Sequence, residues 1–346
     1  MILKVTAGCL INALASFFLT KLILHLARKR NIYDQLSERK IHDGRIPRLG
    51  GIAVAVTFFL SFFWMDLFSL PVSNFKNLFP FLVSVVIIIL LGVYDDLKGA
   101  GAPQKFLFQI IGALVVYSFV ARITYISIPF VGSVSLGKFS LLFTVFWIVL
   151  SINAFNLIDG LDGLLTRISI YAAICLAVVF LLKNEKIMAI LLLGLVGSLV
   201  GFLPWNLYPA KIFMGDTGSM FLGFIFAVFS MAHSQKGAMV LSMSVPLIIL
   251  FIPLFDTGWA FIRRVKERKS PFVADKKHVH HRLLKKFGSH RKASFVLSTI
   301  SGIFSATGVI AAFLDVRYRS FFVLVILSAC IFLVYFTLDK ASVVEK

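Results

Sequence analysis

The sequence predicts an all-α, polytopic integral membrane protein of about eleven transmembrane helices, with the loops that carry its candidate site on the cytoplasmic side. Three observations predict this. Of 346 residues, 59% are hydrophobic and 15% charged, with a mean hydropathy of +0.93. A soluble domain of that make-up would expose large apolar patches to water. Apolar runs long enough to cross ~30 Å of hydrocarbon recur along the whole length. Lys and Arg are distributed unequally between alternate loops, as the positive-inside rule requires.

The spans are expected at 2–27, 50–69, 78–94, 106–121, 139–157, 164–182, 187–203, 219–233, 239–262, 294–313 and 320–338. The first is read as a span rather than a cleaved leader, because its apolar stretch is too long and no small-residue cleavage site follows. Gly50-Gly51 turn the chain into the second, and the third runs into Asp95-Asp96. After the fourth, Ile123-Thr-Tyr-Ile-Ser-Ile-Pro-Phe130 alternates in polarity and predicts a small hairpin. The fifth ends in a polar run from Asn153 to Gly163. The eighth follows Gly215-Asp216-Thr217-Gly218, and the ninth carries Asp256 near its end. With these edges one set of loops, including 28–49, 95–105 and 263–293, holds 24 Lys and Arg, and the other side holds 9 counting Lys4. The first set is therefore cytoplasmic. The formal charge of +19 belongs to such loops and does not point to nucleic acid, since no soluble basic region carries it. Cys9, Cys175 and Cys330 lie in apolar runs and match no disulfide or metal framework. No repeat is evident, and the chain reads as one transmembrane catalytic domain, 1–346.

Every stretch of unusual polar chemistry falls on the cytoplasmic side. Asp95 and Asp96 end a helix whose C-terminus disfavours carboxylates, and Lys98 and Lys105 follow. That is either a solvated loop start or a cation site with lysines for phosphate. Asn153, Asn156 and Asp159 are three apart, and Asp159-Gly160 and Asp162-Gly163 follow one another where a tight turn would need one such pair. Charge at a span mouth points to function. Trp205-Asn206 leads through Lys211 and Phe213 to Gly215-Asp216-Thr217-Gly218-Ser219. Asp216 or Ser219 would N-cap the eighth span, or the aspartate would hold Mg²⁺. His278-Val-His280-His281-Arg282 is dense in imidazole, but it lacks the cysteines and spacing of a zinc site and sits in a loop basic enough to lie on anionic lipid. Asp256 reads as a buried acid paired with Arg263 or Arg264. The stretch Asp34 to His42, followed by Pro47-Arg48-Leu49-Gly50-Gly51, reads as a basic loop and a glycine turn.

Taken together, four of these motifs resemble the polyprenyl-phosphate N-acetylhexosamine-1-phosphate transferases: Asp95-Asp96, the Asn-x-x-Asn-x-x-Asp-Gly-x-Asp-Gly run at 153–163, Phe213-Met-Gly-Asp-Thr-Gly-Ser219, and His278-x-His-His-Arg282. The resemblance covers about residues 30–292 and implies eleven spans, a cytoplasmic active site and a bacterial inner-membrane location. It implies Mg²⁺, with Mn²⁺ as a substitute, on Asn156 and Asp216. It makes Asp95 the catalytic acid and groups Asp96, Asp159 and Asp162 with it. It gives Lys98 and Lys105 to phosphate, Asn206 and Phe213 to the uracil, and Asn153, His278, His280, His281 and Arg282 to substrate. The implied partners are a polyprenyl phosphate and a UDP-sugar, with oligomerisation left open. Where the family often has proline two residues after its first-loop aspartate, this chain has Leu36. The histidine motif looks like the GlcNAc-1-phosphate branch and lacks the Pro-Ile-His-His-His-Phe-Glu form of the muramoyl-pentapeptide branch. A transporter, the alternative of another class, would place its polar site near the midplane, often between repeats.

Overall fold

The structure is a computed structural model and describes residues 2–33, 46–67, 77–128, 132–231, 244–268 and 278–314, with Tyr318 and Ser328. Its helices are α1 (Ile2–Lys29), α2 (Gly50–Leu67), α3 (Leu78–Lys98), α4 (Ala102–Phe119), α5 (Ser140–Ile158), α6 (Leu164–Leu182), α7 (Lys186–Asn206), α8 (Gly215–Met231), α9 (Ser244–Ile249), α10 (Phe251–Lys266), α11 (Val279–Phe287) and α12 (His290–Phe313). The expected hairpin is present as β1 (Tyr125–Ile128) against β2 (Gly132–Ser135), antiparallel. Seven helices, α1, α3 to α7 and α12, are long and apolar enough to cross a membrane, and α2 and α8 are shorter apolar helices. The chain is an all-α, multi-pass membrane protein. The expected span at 320–338, and the loop from Asp34 to His42 with Leu36, lie outside the described residues apart from Ser328.

The bundle is arranged around α8, which is buried along its whole length. A helix that is apolar on all sides has to be enclosed. Phe221, Phe226 and Phe229 meet Phe58 of α2, Phe155 of α5 and Phe81 of α3, with ring centroids 5.6, 5.1 and 5.9 Å apart. By contrast α1 leaves Leu10, Leu14, Phe18 and Leu22 exposed, the outward apolar stripe a lipid-facing helix needs. Its other side packs on α7 through small residues: Gly197 and Gly201 have no room for a Cβ against Cys9 and Ala13, and Gly194 has none against Ser61 of α2. Between them Asn12 donates to Ser61 Oγ (2.8 Å) and the Gly194 carbonyl (2.9 Å), and accepts from Trp64 Nε1 (3.1 Å). Replacing Asn12 by Ala removes three hydrogen bonds from a buried interface. It is expected to lower stability by about 1–2 kcal/mol, measured as thermal unfolding in detergent.

Two boundaries differ from the sequence expectation. The eighth helix begins at Gly215 rather than at residue 219, so Asp216 lies in its first turn and not in a loop. Neither Asp216 nor Ser219 caps it. Gly215 makes the entry turn at φ +73°, and the cap comes from another helix, as described below. The ninth span, expected as one helix over 239–262, is broken at Leu250 into α9 and α10. Pro253 lacks the N–H that would bond the Ile249 carbonyl. Ser305 of α12 donates to that carbonyl instead, at 3.0 Å, so the break is stabilised from outside.

Candidate active site

Three helix ends converge at the N-terminus of α8. The last turn of α3 presents Asp95 and Asp96, and the helix closes on Gly99, in the left-handed region at φ +75°, whose N–H bonds the Asp95 carbonyl. Asp96 then caps α8: its Oδ1 accepts Asp216 N–H (2.8 Å) and its Oδ2 accepts Thr217 N–H (2.9 Å) and Oγ1–H (2.7 Å). A carboxylate on otherwise orphaned first-turn amides is favoured both by hydrogen bonding and by the helix dipole. The approach is close: Gly92 of α3 lies against the Thr217 backbone and Gly51 of α2 against Gly218, with no space for a side chain at either. The segment before α2 is stitched on as a short ladder, Phe213 N–H to the Pro47 carbonyl (2.8 Å), Gly50 N–H to the Phe213 carbonyl (3.0 Å) and Gly51 N–H to the Met214 carbonyl (2.8 Å).

Asp216 sits between two cations. Lys105 Nζ, from the first turn of α4, lies 2.6 Å from Asp216 Oδ2 and 2.6 Å from Asp95 Oδ2. Arg48 Nη2 lies 3.1 Å from Asp216 Oδ1. Asp95 Oδ1 also accepts Ala100 N–H, at 2.6 Å. One lysine thus ties together carboxylates 121 residues apart in the chain.

The Asn-rich run closes the other side. Asn156 Nδ2 donates to Ser219 Oγ at 2.9 Å, one turn beyond Asp216, and its carbonyl oxygen accepts nothing among the described residues. Asn153 is used for support, donating to Gln109 Oε1 of α4 and to the Val149 carbonyl, each at 2.8 Å. Asp159, in the α5–α6 loop, is pushed up to about 7 by burial and by the nearby charges of Asp216, Asp96 and Asp162, which outweigh Arg48. Its carboxylate makes no hydrogen bond to any described residue. Asp162 faces inward, its Oδ2 accepting Ala210 N–H (2.9 Å) and its carbonyl accepting Ser294 Oγ–H (2.8 Å).

The histidine motif packs on this loop. His280 is 2% exposed, and its ring lies on Gly160, where a Cβ would strike the imidazole. Burial and the neighbouring His281 and His278 push its pKa down to about 3 against the pull of Asp256, so the ring is neutral. Asp256 is bonded to His278 Nδ1 (3.0 Å) and Val279 N–H (2.9 Å), not to Arg263 or Arg264 as the sequence suggests. Those arginines follow it on its own helix, whereas α11 brings the first-turn amide and imidazole within reach of both oxygens. His281 and Arg282 follow on α11, half-buried.

Not every expected residue reaches the cluster. Lys98 is exposed and lies over the Tyr94 ring, 5.9 Å from its centroid. Asn206 is 3% exposed and has both ends of its amide engaged, accepting from Thr166 Oγ1 (2.7 Å) and donating to the Ile212 carbonyl (3.1 Å), so it shapes the 207–214 loop from within. Phe213 is half-buried at the end of that loop. Gln109 stands in none of the sequence motifs, and Arg48 and Thr217 stand in theirs without an assigned role. The signal for Arg48 was a cation two residues before Gly50-Gly51, and its partner is 168 residues away.

At the α8 end Asp216 and the unengaged Asn156 carbonyl are the oxygen donors that a hard divalent cation would take, and among the described residues no three His, Cys, Asp or Glu side chains cluster into a closed metal cage.

Residues 78–234 match the family model for glycosyl transferase family 4. The chain is 35% identical to a probable undecaprenyl-phosphate N-acetylglucosaminyl 1-phosphate transferase of Bacillus subtilis, over 89% of this chain and 85% of that one. It is 29% identical to an undecaprenyl-phosphate α-N-acetylglucosaminyl 1-phosphate transferase of Thermotoga maritima, over 96% and 98%. It is 32% identical to a decaprenyl-phosphate N-acetylglucosaminephosphotransferase of Mycobacterium leprae, over 84% and 79%. A relative 35% identical over most of both chains, together with the family-model match, places this membrane protein in glycosyl transferase family 4.

Proposed function

We propose that this protein transfers GlcNAc-1-phosphate from UDP-GlcNAc to undecaprenyl phosphate, releasing UMP, at the cytoplasmic face of a bacterial inner membrane. The observation that carries the reading is the position of Lys105 between Asp95 and Asp216: motifs far apart in sequence meet at the mouth of the buried central helix, among carboxylates, cations and an open amide. Such a site suits a reaction between two anions, and relatives named for that transfer match most of the chain.

An oxygen of the lipid phosphate attacks the sugar-bearing phosphorus of UDP-GlcNAc, and the bond from that phosphorus to the bridging oxygen breaks, leaving with UMP. A phosphate monoester has a second pKa near ~6, so the nucleophile is largely dianionic at neutral pH and needs no strong base. Mg²⁺ held by Asp216 and Asn156 would neutralise charge developing on the pyrophosphate. Lys105 and Arg48, already bracketing Asp216, shift toward phosphate oxygens. Asp95 accepts a residual proton. Asp96 keeps α8 in place, and His280, neutral and packed on Gly160, backs the Asp159–Gly163 loop. The rival course, a phosphoryl group carried covalently on Asp95, predicts exchange of labelled UMP into UDP-GlcNAc without lipid phosphate; the direct reaction predicts none.

The direct test offers purified protein a panel of UDP-sugars with undecaprenyl phosphate and Mg²⁺, and identifies the extracted lipid. GlcNAc-diphosphoryl lipid as the main product supports the proposal. A product formed only from UDP-MurNAc-pentapeptide, or none with any sugar, would reject it. In the same assay Gly160→Ala is expected to lower kcat/KM about tenfold and stability by about 1–3 kcal/mol, since the added methyl group forces the buried His280 ring off the loop.

A further inference from the structure

The histidine helix α11 is nine residues long, too short to hold its shape alone. Its own residues leave its N-terminus uncapped: His278 is extended, at φ −63° and ψ 153°, and its side chain bonds none of the first-turn amides. The cap comes from α10. Asp256, 3% exposed, accepts Val279 N–H on one oxygen and meets His278 Nδ1 with the other. A single carboxylate therefore fixes the first amide of the helix and the ring before it. That ring lies nearly parallel to His280, with centroids 5.8 Å apart and planes 10° from each other. His280 in turn rests on Gly160, between Asp159 and Asp162. Asp256 is itself set by the break between α9 and α10, which Ser305 holds through the Ile249 carbonyl. A buried acid at this depth is costly without partners, so its two contacts are what make the position tolerable.

We propose that Asp256 is a positioning residue: its carboxylate docks the histidine helix onto the Asp159–Gly163 loop and so sets where His280 to Arg282 meet the sugar nucleotide. The identity of that ligand rests on the function proposed above; the docking does not. Asp256 reaches the reaction only through α11. The cation donors Asp216 and Asn156 lie on α8 and α5, which Asp256 does not touch through any hydrogen bond.

The test uses full-length protein in lipid nanodiscs with three readouts on Asp256→Ala and Asp256→Asn: amide exchange of peptides spanning 278–287, Mn²⁺ affinity by electron paramagnetic resonance, and steady-state kinetics with UDP-GlcNAc. For Asp256→Ala, exchange of 279–283 is expected to rise at least tenfold while peptides from α6 and α8 are unchanged. Mn²⁺ affinity should stay within twofold, and kcat/KM should fall about 100-fold, chiefly through KM. Asp256→Asn keeps an acceptor for Val279 N–H and should recover about tenfold of the loss. If Asp256→Ala does not fold, Asp256→Asn carries the test alone, with a smaller rise in exchange confined to 278–287. Unchanged exchange of 278–287 would overturn the proposal, as would loss of Mn²⁺ binding, which would put Asp256 in the cation site. Should the wild type transfer no sugar phosphate, the function proposal fails, while the exchange data still decide the docking.

Discussion

Asp216→Asn is expected to lower sugar-phosphate transfer by at least ~10³-fold, the loss of several kcal/mol that removing a metal-held charge from a phosphoryl-transfer site entails. The substitution keeps the shape of the side chain but removes the charge that Lys105 and Arg48 face and that a divalent cation would require. The fold should survive it. The α8 N-terminus is held by Asp96 through the backbone N–H of Asp216 and the backbone and hydroxyl of Thr217, none of which changes. The check is UMP release by wild type and variant at saturating Mg²⁺, with circular dichroism to confirm retained helix. An active Asp216→Asn protein would remove this residue from the chemistry.

Lys105→Met is expected to cost activity about 10²–10³-fold and also stability. Lys105 is the only described cation bonded to Asp95, and it shares Asp216 with Arg48. Its loss leaves two nearly buried carboxylates facing each other with one positive charge fewer. Breaking a buried pair by removing one partner costs about 3–5 kcal/mol at full burial. Lys105 keeps 23% of its side chain exposed, so a smaller loss, about 2 kcal/mol, is expected after solvent screening. A divalent cation would replace the missing charge, so Mg²⁺ should raise the unfolding temperature of Lys105→Met more than that of the wild type. Equal Mg²⁺ shifts in both proteins would mean that Lys105 and the cation do not share Asp216.

Much of this was legible in the sequence because it depends on local quantities. Run length marks spans, and α1, α3, α5, α6 and α7 follow the apolar stretches closely. Alternation in Ile123–Phe130 marks the hairpin. Placing the motifs on one side required only the parity of the spans and the distribution of Lys and Arg. What stayed hidden depends on contacts between distant helices. Nothing near Asp96 shows that its carboxylate caps a helix 120 residues later. The start of α8 was misplaced because its cap is not in its own sequence. The break at Leu250 was missed because Pro253 alone permits a kink, whereas the partner that stabilises it, Ser305, comes from α12. Asn206 and Lys98 show the converse: a motif position identifies a residue without revealing which way the fold turns its side chain.

In the proposed reaction one divalent cation would be gripped at the α8 N-terminus and would touch the pyrophosphate. Phosphorus-31 electron–nuclear double resonance on Mn²⁺-loaded protein in nanodiscs, with UDP-GlcNAc added, measures that contact. The expected result is one Mn²⁺ per chain with strong phosphorus coupling, both lost in Asp216→Asn. Mn²⁺ bound without phosphorus coupling, or bound equally by the variant, would contradict it.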